Sequence, residues 1–209
     1  MNLVQQQCLQ NSLAGVDIIC QAQSGMGKTA VFVLTILNRL QSTDPCFSVI
    51  VLCHTRELTI QINNEFKRFS TNMDGISSMP IYGGENLDDQ IKKIKEINPK
   101  IIVGTPGRTL ALIKKGIITT SNVSMFVLDE CDKCLQQLDM RGDIQQIYKS
   151  TPHKKQVLFF SATMPKDIRE LAKKFMNKVC FNPIILECLK VYISTTLFYK
   201  HFWWKVLKH

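Results

Sequence analysis

Two segments of the chain carry residue types that bind phosphate and a divalent cation. The first, Ala22-Gln23-Ser24-Gly25-Met26-Gly27-Lys28-Thr29, lies between an apolar strand pattern and an apolar helix pattern. It has the spacing of a P-loop, in which glycines let backbone N–H groups turn towards phosphate oxygens, with Ala22 in place of the first glycine. The helix that begins at Lys28 would direct its positive dipole end at the anion, while Lys28 reaches the β- and γ-phosphates and Thr29 ligates Mg²⁺. The segment predicts a nucleoside triphosphate site, and the alternative is a chance glycine-rich turn.

The second segment, Asp129-Glu130-Cys131-Asp132, follows an apolar strand pattern and brings three carboxylates together. A P-loop needs an acid that holds its metal ion, and Asp129 at the strand tip fits this Walker-B role, so Thr29 and Asp129 are the predicted metal ligands. Glu130 is then the candidate that orients the attacking water, which makes Lys28, Asp129 and Glu130 the predicted catalytic residues. The alternative is a helix N-terminus that collects acids to suit its dipole. The P-loop favours the catalytic interpretation.

Both segments sit within an alternation of strand and helix patterns. Apolar, β-branched runs predict strands at 17–20, 48–53, 76–82, 100–104, 123–129 and 156–161. Between them, apolar residues at helical spacing predict helices over 58–69, 87–97 and 168–175. Such alternation indicates right-handed crossovers and an α/β fold, with a mostly parallel sheet covered by helices on both faces. In such a sheet ligands bind beyond the carboxyl ends of the strands, where both segments lie.

Composition restricts the environment of the protein more than its fold. The 209 residues suit one domain, and 45% hydrophobic with 21% charged residues is ordinary for a soluble globular protein. The sequence has no run of 18 uncharged apolar residues and no secretory signal, which predicts a cytosolic or nuclear protein with no membrane partner. The net charge of +9 favours polyanionic partners, with a basic surface kept for solubility as an equal alternative. The eight cysteines are interpreted as free thiols, because the pair Cys131 and Cys134 has no second pair at zinc spacing.

Taken together, these segments resemble the DEAD-box RNA helicases of superfamily 2, and the sequence Asp-Glu-Cys-Asp resembles their DECD subgroup. Further segments match motifs of that family in order and spacing over residues 3–178: Gln5 (the Q motif), Thr55-Arg56-Glu57-Leu58 (motif Ia), Gly83-Gly84 (the glycine doublet), Thr105-Pro106-Gly107-Arg108 (motif Ib) and Ser161-Ala162-Thr163 (motif III). The resemblance implies a RecA-like P-loop NTPase domain over residues 1–178, with ATP and Mg²⁺ as cofactors and Gln5 at the adenine edge.

The resemblance also implies an RNA site. It assigns contacts with the RNA backbone to Thr55, Arg56, Gly83, Gly84, Thr105, Gly107 and Arg108. Small residues, hydroxyls and arginines on one rim suit phosphate and sugar contacts, so binding independent of base sequence is expected, although each motif alone also fits a helix N-cap or a turn. Asp132, Ser161 and Thr163 are assigned to coupling between nucleotide state and domain closure. The DECD subgroup further implies splicing and mRNA-export proteins as partners and a nuclear location, with the cytoplasm as the alternative.

The chain departs from the family pattern in three places. It lacks the aromatic residue upstream of the Q motif, and Gln23 replaces a lysine of the DECD subgroup, so weaker nucleotide binding is expected. Residues 179–209 hold seven of the 17 aromatic residues and no arginine, and they resemble no second RecA-like domain with its arginine finger. Because such a finger contributes orders of magnitude in rate, we expect ATP binding with little turnover and no unwinding.

Several alternatives stay open at this point. The function is that of a DECD-type ATP-dependent RNA helicase represented by its ATP-binding half, or that of a non-catalytic fragment that binds ATP and RNA and competes with a longer relative. A truncated gene copy is a further interpretation. A superfamily-2 DNA translocase is a more distant alternative, disfavoured by Gln5 and the DECD sequence. For residues 179–209 the alternatives are an origin by frameshift or alternative exon, a partner-binding segment, and a strand or helix that covers the domain.

Overall fold

The computed structural model of the chain describes residues 3–176, with side chains from Cys8 onwards. The strands are β1 (Ile18–Gln21), β2 (Val49–Leu52), β3 (Ser78–Ile81), β4 (Ile101–Gly104), β5 (Met125–Leu128) and β6 (Gln156–Ser161). The helices are α1 (Leu3–Leu13), α2 (Lys28–Arg39), α3 (Arg56–Phe69), α4 (Leu87–Ile97), α5 (Pro106–Lys114), α6 (Cys131–Gln136), α7 (Leu138–Ser150) and α8 (Lys166–Lys173). The predicted boundary at residue 178, the segment 179–209 and the side chain of Gln5 lie outside the described residues.

The six strands form one parallel sheet in the order β1-β6-β5-β2-β4-β3. The four inner strands are buried along their whole length, which is why each is a continuous apolar run in the sequence. The two edge strands alternate buried and half-buried positions. Pro80 lies in the edge strand β3, the position where a residue without an N–H is tolerated. The predicted α/β fold with a mostly parallel sheet is confirmed.

Helices cover both faces of the sheet, because successive side chains of a strand point to opposite sides. In β6, Phe160 points to the face covered by α1, α2 and α3, and its ring centroid lies 5.2 Å from that of Phe32. The adjacent Phe159 points to the face covered by α5, α6, α7 and α8, and its ring centroid lies 5.6 Å from that of Phe175. An apolar core on each face therefore holds the ends of the strands in fixed positions.

The predicted elements agree well with the observed ones. Each strand begins and ends within two residues of its predicted limits, and α3, α4 and α8 occupy the predicted helical segments. Helix α8 ends at Lys173, and Phe175 reaches the core from beyond the helix. Helices α1 and α7 were not predicted, and the glutamine-rich sequence LVQQQCLQNSL of α1 has only a weak helical pattern of apolar residues.

Two further observations concern the environment of the chain. Between residues 3 and 176, every helix is too short or too polar to span a bilayer. The six cysteines in this part of the chain are free thiols, as predicted, and the Sγ atoms of Cys8 and Cys20 lie 3.1 Å apart as a hydrogen-bonded pair. Burial raises the pKa of Cys53 to about 12, so this thiol stays protonated at neutral pH.

Candidate functional site

The parallel sheet brings all the predicted site segments that the structure describes to one edge, formed by the carboxyl ends of the strands. The loop 22–27 follows β1, the segment 161–163 ends β6, and the acids 129–132 follow β5. The segments with the candidate arginines follow two of the other strands, 53–56 after β2 and 105–108 after β4, and the segment with the glycine pair, 82–84, follows β3. Because the strand order is β1-β6-β5-β2-β4-β3, the two groups occupy separate halves of the edge. We call these halves the phosphate-loop side (β1, β6, β5) and the arginine side (β2, β4, β3).

The loop 22–27 adopts a conformation that depends on its glycines. Gly25 (φ 80°) and Gly27 (φ 72°) are both left-handed, and Gly27 is the N-cap residue of α2. No described atom lies within 4 Å of the Cβ position of Gly25, so the loop is open on that side. The N–H of Ala22 donates to the carbonyl of Ser161 at 3.0 Å, which continues the β1–β6 pairing into the loop. The loop and the N-terminus of α2 together have the form of an anion site.

The ammonium group of Lys28 is held by the loop itself. Its Nζ donates to the carbonyl oxygens of Ala22 at 2.7 Å and of Gln23 at 3.0 Å. The side chain therefore lies along the loop, whose residues 23–25 are exposed and whose residues 26–29 are half-buried. A phosphate group in the loop would compete with these two neutral carbonyls for the ammonium, and charge-assisted hydrogen bonds are the stronger kind.

Asp129 is a buried carboxylate directly beyond β5, with 4% of its surface exposed. Burial raises its pKa from 3.8 to about 6, and the charges of Glu130 and Asp132 act in the same direction. The backbone N–H of Glu130, which donates to Oδ1 at 2.9 Å, and the charge of Lys28 only partly oppose this effect. The charged form of Asp129 is thus incompletely compensated, and a divalent cation would stabilise it.

The residues at this point fit a magnesium ion. Mg²⁺ takes one or two protein ligands and completes its shell with water and phosphate oxygens. The buried carboxylate of Asp129 and the hydroxyl of Thr29 are ligands of that kind. Other metal sites take all their ligands from the protein. Residues 3–176 contain no site of that kind, since no three His, Cys, Asp or Glu side chains are arranged to hold a metal ion.

Glu130 has an unusual backbone conformation, with φ 47° and ψ 50°, and is the N-cap residue of α6. Left-handed conformations are uncommon for residues other than glycine and are found preferentially at functional sites. Its Oε2 atom lies 3.0 Å from Nζ of Lys133 and 3.1 Å from Nδ1 of His54. His54 was not among the predicted site residues. Its contact follows from the pairing of β2 with β5, which the sequence pattern does not reveal.

Asp132, Ser161 and Thr163 form one hydrogen-bonded group. The hydroxyl of Thr163 donates to Oδ2 of Asp132, and the hydroxyl of Ser161 donates to the carbonyl of Thr163 at 2.6 Å. Burial tends to raise the pKa of Asp132, but the Ser161 and Thr163 side chains outweigh it and hold that pKa below 3.8. The group therefore joins the end of β6 to the first turn of α6 through an ionised carboxylate.

On the arginine side, Arg56 and Arg108 belong to one network. The guanidinium of Arg56 lies over the ring of Tyr82, 4.7 Å from its centroid, and the Tyr82 hydroxyl donates to Oε1 of Glu85 at 2.7 Å. Arg108 donates to the carbonyl of Glu85 at 3.1 Å and to Oε1 of Gln90 at 3.3 Å. Tyr82, Glu85 and Gln90 were not predicted as site residues. The buried glutamine within an amphipathic helix is the sequence signal that could have indicated this network.

The other predicted residues of the arginine side lie at helix starts and in exposed turns. Thr55 is the N-cap residue of α3, and its hydroxyl accepts from the N–H of Leu58 at 3.2 Å. Thr105 is the N-cap residue of α5 and makes no side-chain capping bond. The three predicted glycines are exposed, Gly83 and Gly84 in the turn after β3 and Gly107 in the first turn of α5. Gly84 has φ 93°, a backbone conformation in which a residue with a side chain would be strained, while its Cβ position, 3.5 Å from Nη1 of Arg56, would make only ordinary contact.

Comparison with known proteins gives one family match over most of the chain. The model of the DEAD/DEAH box helicase family matches residues 2–171. DEAD-box ATP-dependent RNA helicase 15 of Arabidopsis thaliana is 52% identical over 174 residues, which is 83% of this chain and 41% of that protein. Human ATP-dependent RNA helicase DDX39A is 48% identical over 174 residues with the same coverage. The chain thus spans about two fifths of the length of these curated relatives.

Solved structures of similar proteins have the same fold. Saccharomyces cerevisiae Dbp5 bound to RNA and ADP–BeF3 superposes with a TM-score of 0.76 at 32% identity, over 84% of this chain and 44% of that one. A DEAD box protein from the hyperthermophile Methanococcus jannaschii superposes with a TM-score of 0.74 at 36% identity, over 83% of this chain and 47% of that one. The described sheet is therefore a RecA-like domain of the kind found in these helicases.

Proposed function

Because the chain belongs to the DEAD/DEAH box helicase family, we propose that it binds ATP with Mg²⁺ on the phosphate-loop side and RNA on the arginine side, and that RNA promotes hydrolysis of the ATP. The strand order carries this proposal. Residue types suited to phosphate and a metal ion follow three adjacent strands, whereas Arg56 follows β2, Arg108 follows β4 and the glycine pair Gly83-Gly84 follows β3. One sheet edge would thereby carry two polyanion sites side by side.

On the phosphate-loop side, Lys28 would exchange its two carbonyl partners for the β- and γ-phosphates, and the loop 22–27, exposed at residues 23–25, would cradle these phosphates with its N–H groups. Thr29 and Asp129 would hold Mg²⁺, which would supply neutralisation of phosphate charge when bound. The raised pKa of Asp129 supports this role, since a buried carboxylate gains most from a cation. Gln5 is proposed to contact the adenine edge.

Glu130 is proposed to orient the attacking water. Hydrolysis forms a bond from the water oxygen to the γ-phosphorus, while the bond from that phosphorus to the β,γ-bridging oxygen breaks and ADP retains the electron pair. The proton lost by the water passes to the Glu130 carboxylate and then to phosphate or solvent. Glu130 directly follows Asp129 beyond β5, so the carboxylate proposed to orient the water and the carboxylate that would hold the metal ion both follow the end of the same strand.

On the arginine side, Arg56 and Arg108 are proposed to bind RNA phosphates, while the exposed backbone of the turn glycines and the hydroxyls of Thr55 and Thr105 bind phosphate and sugar oxygens. These groups do not read base edges, so binding should depend strongly on salt and weakly on base sequence. RNA is bound by Dbp5 in the solved complex, which supports RNA as the ligand. The splicing and export partners and the nuclear location stay predictions.

Hydrolysis of ATP by the chain, with and without single-stranded RNA, tests the proposal. We expect nucleotide binding with slow, RNA-stimulated turnover. Lys28→Ala should weaken nucleotide binding, whereas Glu130→Gln should keep the binding and lose the turnover. Turnover that survives in both variants would contradict the assigned roles. Tight nucleotide binding with no turnover in the unmodified chain would instead identify a module that binds ATP and RNA without hydrolysis.

A further inference from the structure

His54 and Glu130 face each other because of the register of two neighbouring strands. Leu52 at the end of β2 is paired with Leu128 at the end of β5, and the ladder continues with the N–H of Asp129 donating to the carbonyl of Leu52 at 3.0 Å. Two residues beyond each paired leucine are His54 and Glu130. Their side chains meet with Nδ1 of His54 3.1 Å from Oε2 of Glu130. The contact crosses the boundary between the arginine side and the phosphate-loop side.

Both contacting atoms are withdrawn from solvent. The His54 side chain is 17% exposed and the Glu130 side chain 33%, and Nδ1 and Oε2 themselves are buried. The two atoms lie at hydrogen-bond distance without the angle of a hydrogen bond, and among residues 3–176 Nδ1 has no other aligned partner, whereas Oε2 also has the ion-pair contact with Lys133. An unsatisfied buried polar atom costs about 1–3 kcal/mol, which a small rotation of the imidazole would recover. Catalytic hydrogen bonds are often misaligned before substrate binds.

The backbone conformation of Glu130 does not by itself fix the position of its carboxylate. The left-handed conformation and the N–H bond to Asp129 fix the direction of the Cα–Cβ bond, but three side-chain torsions remain. Lys133 contacts the same Oε2 atom at 3.0 Å, yet its side chain is 54% exposed and has four side-chain torsions. His54 is the more rigid partner, since it has two torsions and is packed at the end of a buried strand.

We propose that His54 is a positioning residue for Glu130. Its Nδ1–H donates to Oε2 and holds the carboxylate in the orientation that activates water. The proposal rests on the ATP hydrolysis proposed above. A misplacement of a reacting group by about 1 Å costs up to 100-fold in rate. His54 would therefore act on the catalytic step and leave nucleotide affinity unchanged.

Single-turnover ATP hydrolysis with saturating RNA tests this role. We expect His54→Ala to lower the rate about 10-fold, with the ATP concentration at half-maximal rate changed less than about 2-fold. His54→Asn, whose side-chain N–H can occupy the place of Nδ1–H, should recover the rate to within about 3-fold of the unmodified chain. The matched control Lys133→Met should change the rate less than about 2-fold. An unchanged rate in His54→Ala, or an equal loss in Lys133→Met, would overturn the role of His54 while leaving the proposed function intact.

A spectroscopic measurement tests the contact without any turnover. In a ¹⁵N-labelled chain, His54 should show a protonated Nδ1, and this signature should disappear in Glu130→Ala. The sequence has four histidines, and the signal that is lost in His54→Asn identifies the one from His54. A neutral ring protonated only at Nε2 would overturn the proposal, because such a ring cannot donate to the carboxylate. If the unmodified chain hydrolyses no ATP, the proposed function and the positioning role fail together, whereas the contact is still decided by the spectrum.

Discussion

The buried carboxylate of Asp129 should make the metal-free chain less stable at neutral pH than a variant without that charge. Its pKa is about 6 in the folded chain and near 3.8 when unfolded. Folding therefore favours the protonated form, so the contribution of Asp129 to stability is complete below pH 3.8 and is lost as the pH rises through 6. At 1.36 kcal/mol per pKa unit, the loss reaches about 3 kcal/mol above pH 7. At pH 5 the same relation gives roughly half of that value.

Asp129→Asn should remove this penalty and keep the bond from the Glu130 N–H, because the amide oxygen also accepts. In EDTA at pH 7.5, the variant should gain about 3 kcal/mol in free energy of unfolding by urea, or roughly 6–12 °C in Tm. The gain should fall to about 1.5 kcal/mol at pH 5. Mg²⁺ with ADP should raise the Tm of the unmodified chain more than that of the variant.

A matched control comes from Asp132, whose pKa is lowered in the fold. Asp132→Asn should destabilise the chain at pH 7.5, because a carboxylate favoured by folding is lost there. The reasoning is refuted if Asp129→Asn is less stable than the unmodified chain at pH 7.5, or if its gain is the same at pH 5 and pH 7.5. Either result would mean that burial does not disfavour the charged form of Asp129.

Two further predictions concern packing and RNA binding. Gly104→Ala would place its Cβ 2.2 Å from the Thr109 hydroxyl oxygen, so we expect the free energy of unfolding by urea to fall by about 1–3 kcal/mol. Adding Thr109→Ala should recover at least half of this loss, because it removes the clashing oxygen. Strictly additive effects of the two substitutions would disprove the clash. Tyr82→Leu removes the ring beneath Arg56 and should weaken binding of a single-stranded RNA, measured by fluorescence anisotropy, about 2- to 5-fold. Tyr82→Phe keeps the ring, so its RNA affinity should stay within about 2-fold of that of the unmodified chain. Equal losses in the two variants would assign the effect to the hydroxyl instead.

The fold could be predicted from the sequence because its inner strands are buried on both faces and read as continuous apolar runs, of which Val49–Leu52 is an example. Because the ends of these apolar runs are visible in the sequence, the positions of the loop 22–27 and of the acids 129–132 directly after strands could also be predicted. Helix α1 escaped prediction, since Leu3–Leu13 is rich in glutamine and has only a weak helical pattern of apolar residues. Periodicity cannot reveal a helix whose packing depends on a few side chains such as Cys8.

Contacts across the sheet edge could not be predicted, because they depend on which strands are neighbours. His54 and Glu130 are far apart in the sequence, and they meet only because β2 pairs with β5 in one register. The contact between Arg56 and Tyr82 likewise depends on the position of β3 beside β4 and close to α3. The motif order indicated which residues gather at the edge, while strand order and register decide which of them touch.

The edge position of β1 has a consequence for how the chain is made. In the sheet formed by residues 18–161, β1 has a single neighbour, β6, and Ile18 is paired with Leu158, which is 140 positions later. At translation rates of about 5–20 residues per second, roughly 7–30 s separate the synthesis of these two strands. The strand that leads into the loop 22–27 is thus synthesised well before β6, its hydrogen-bond partner in the sheet. During that interval its apolar residues are available to chaperones, so shortened nascent chains that end before residue 156 should depend on them most.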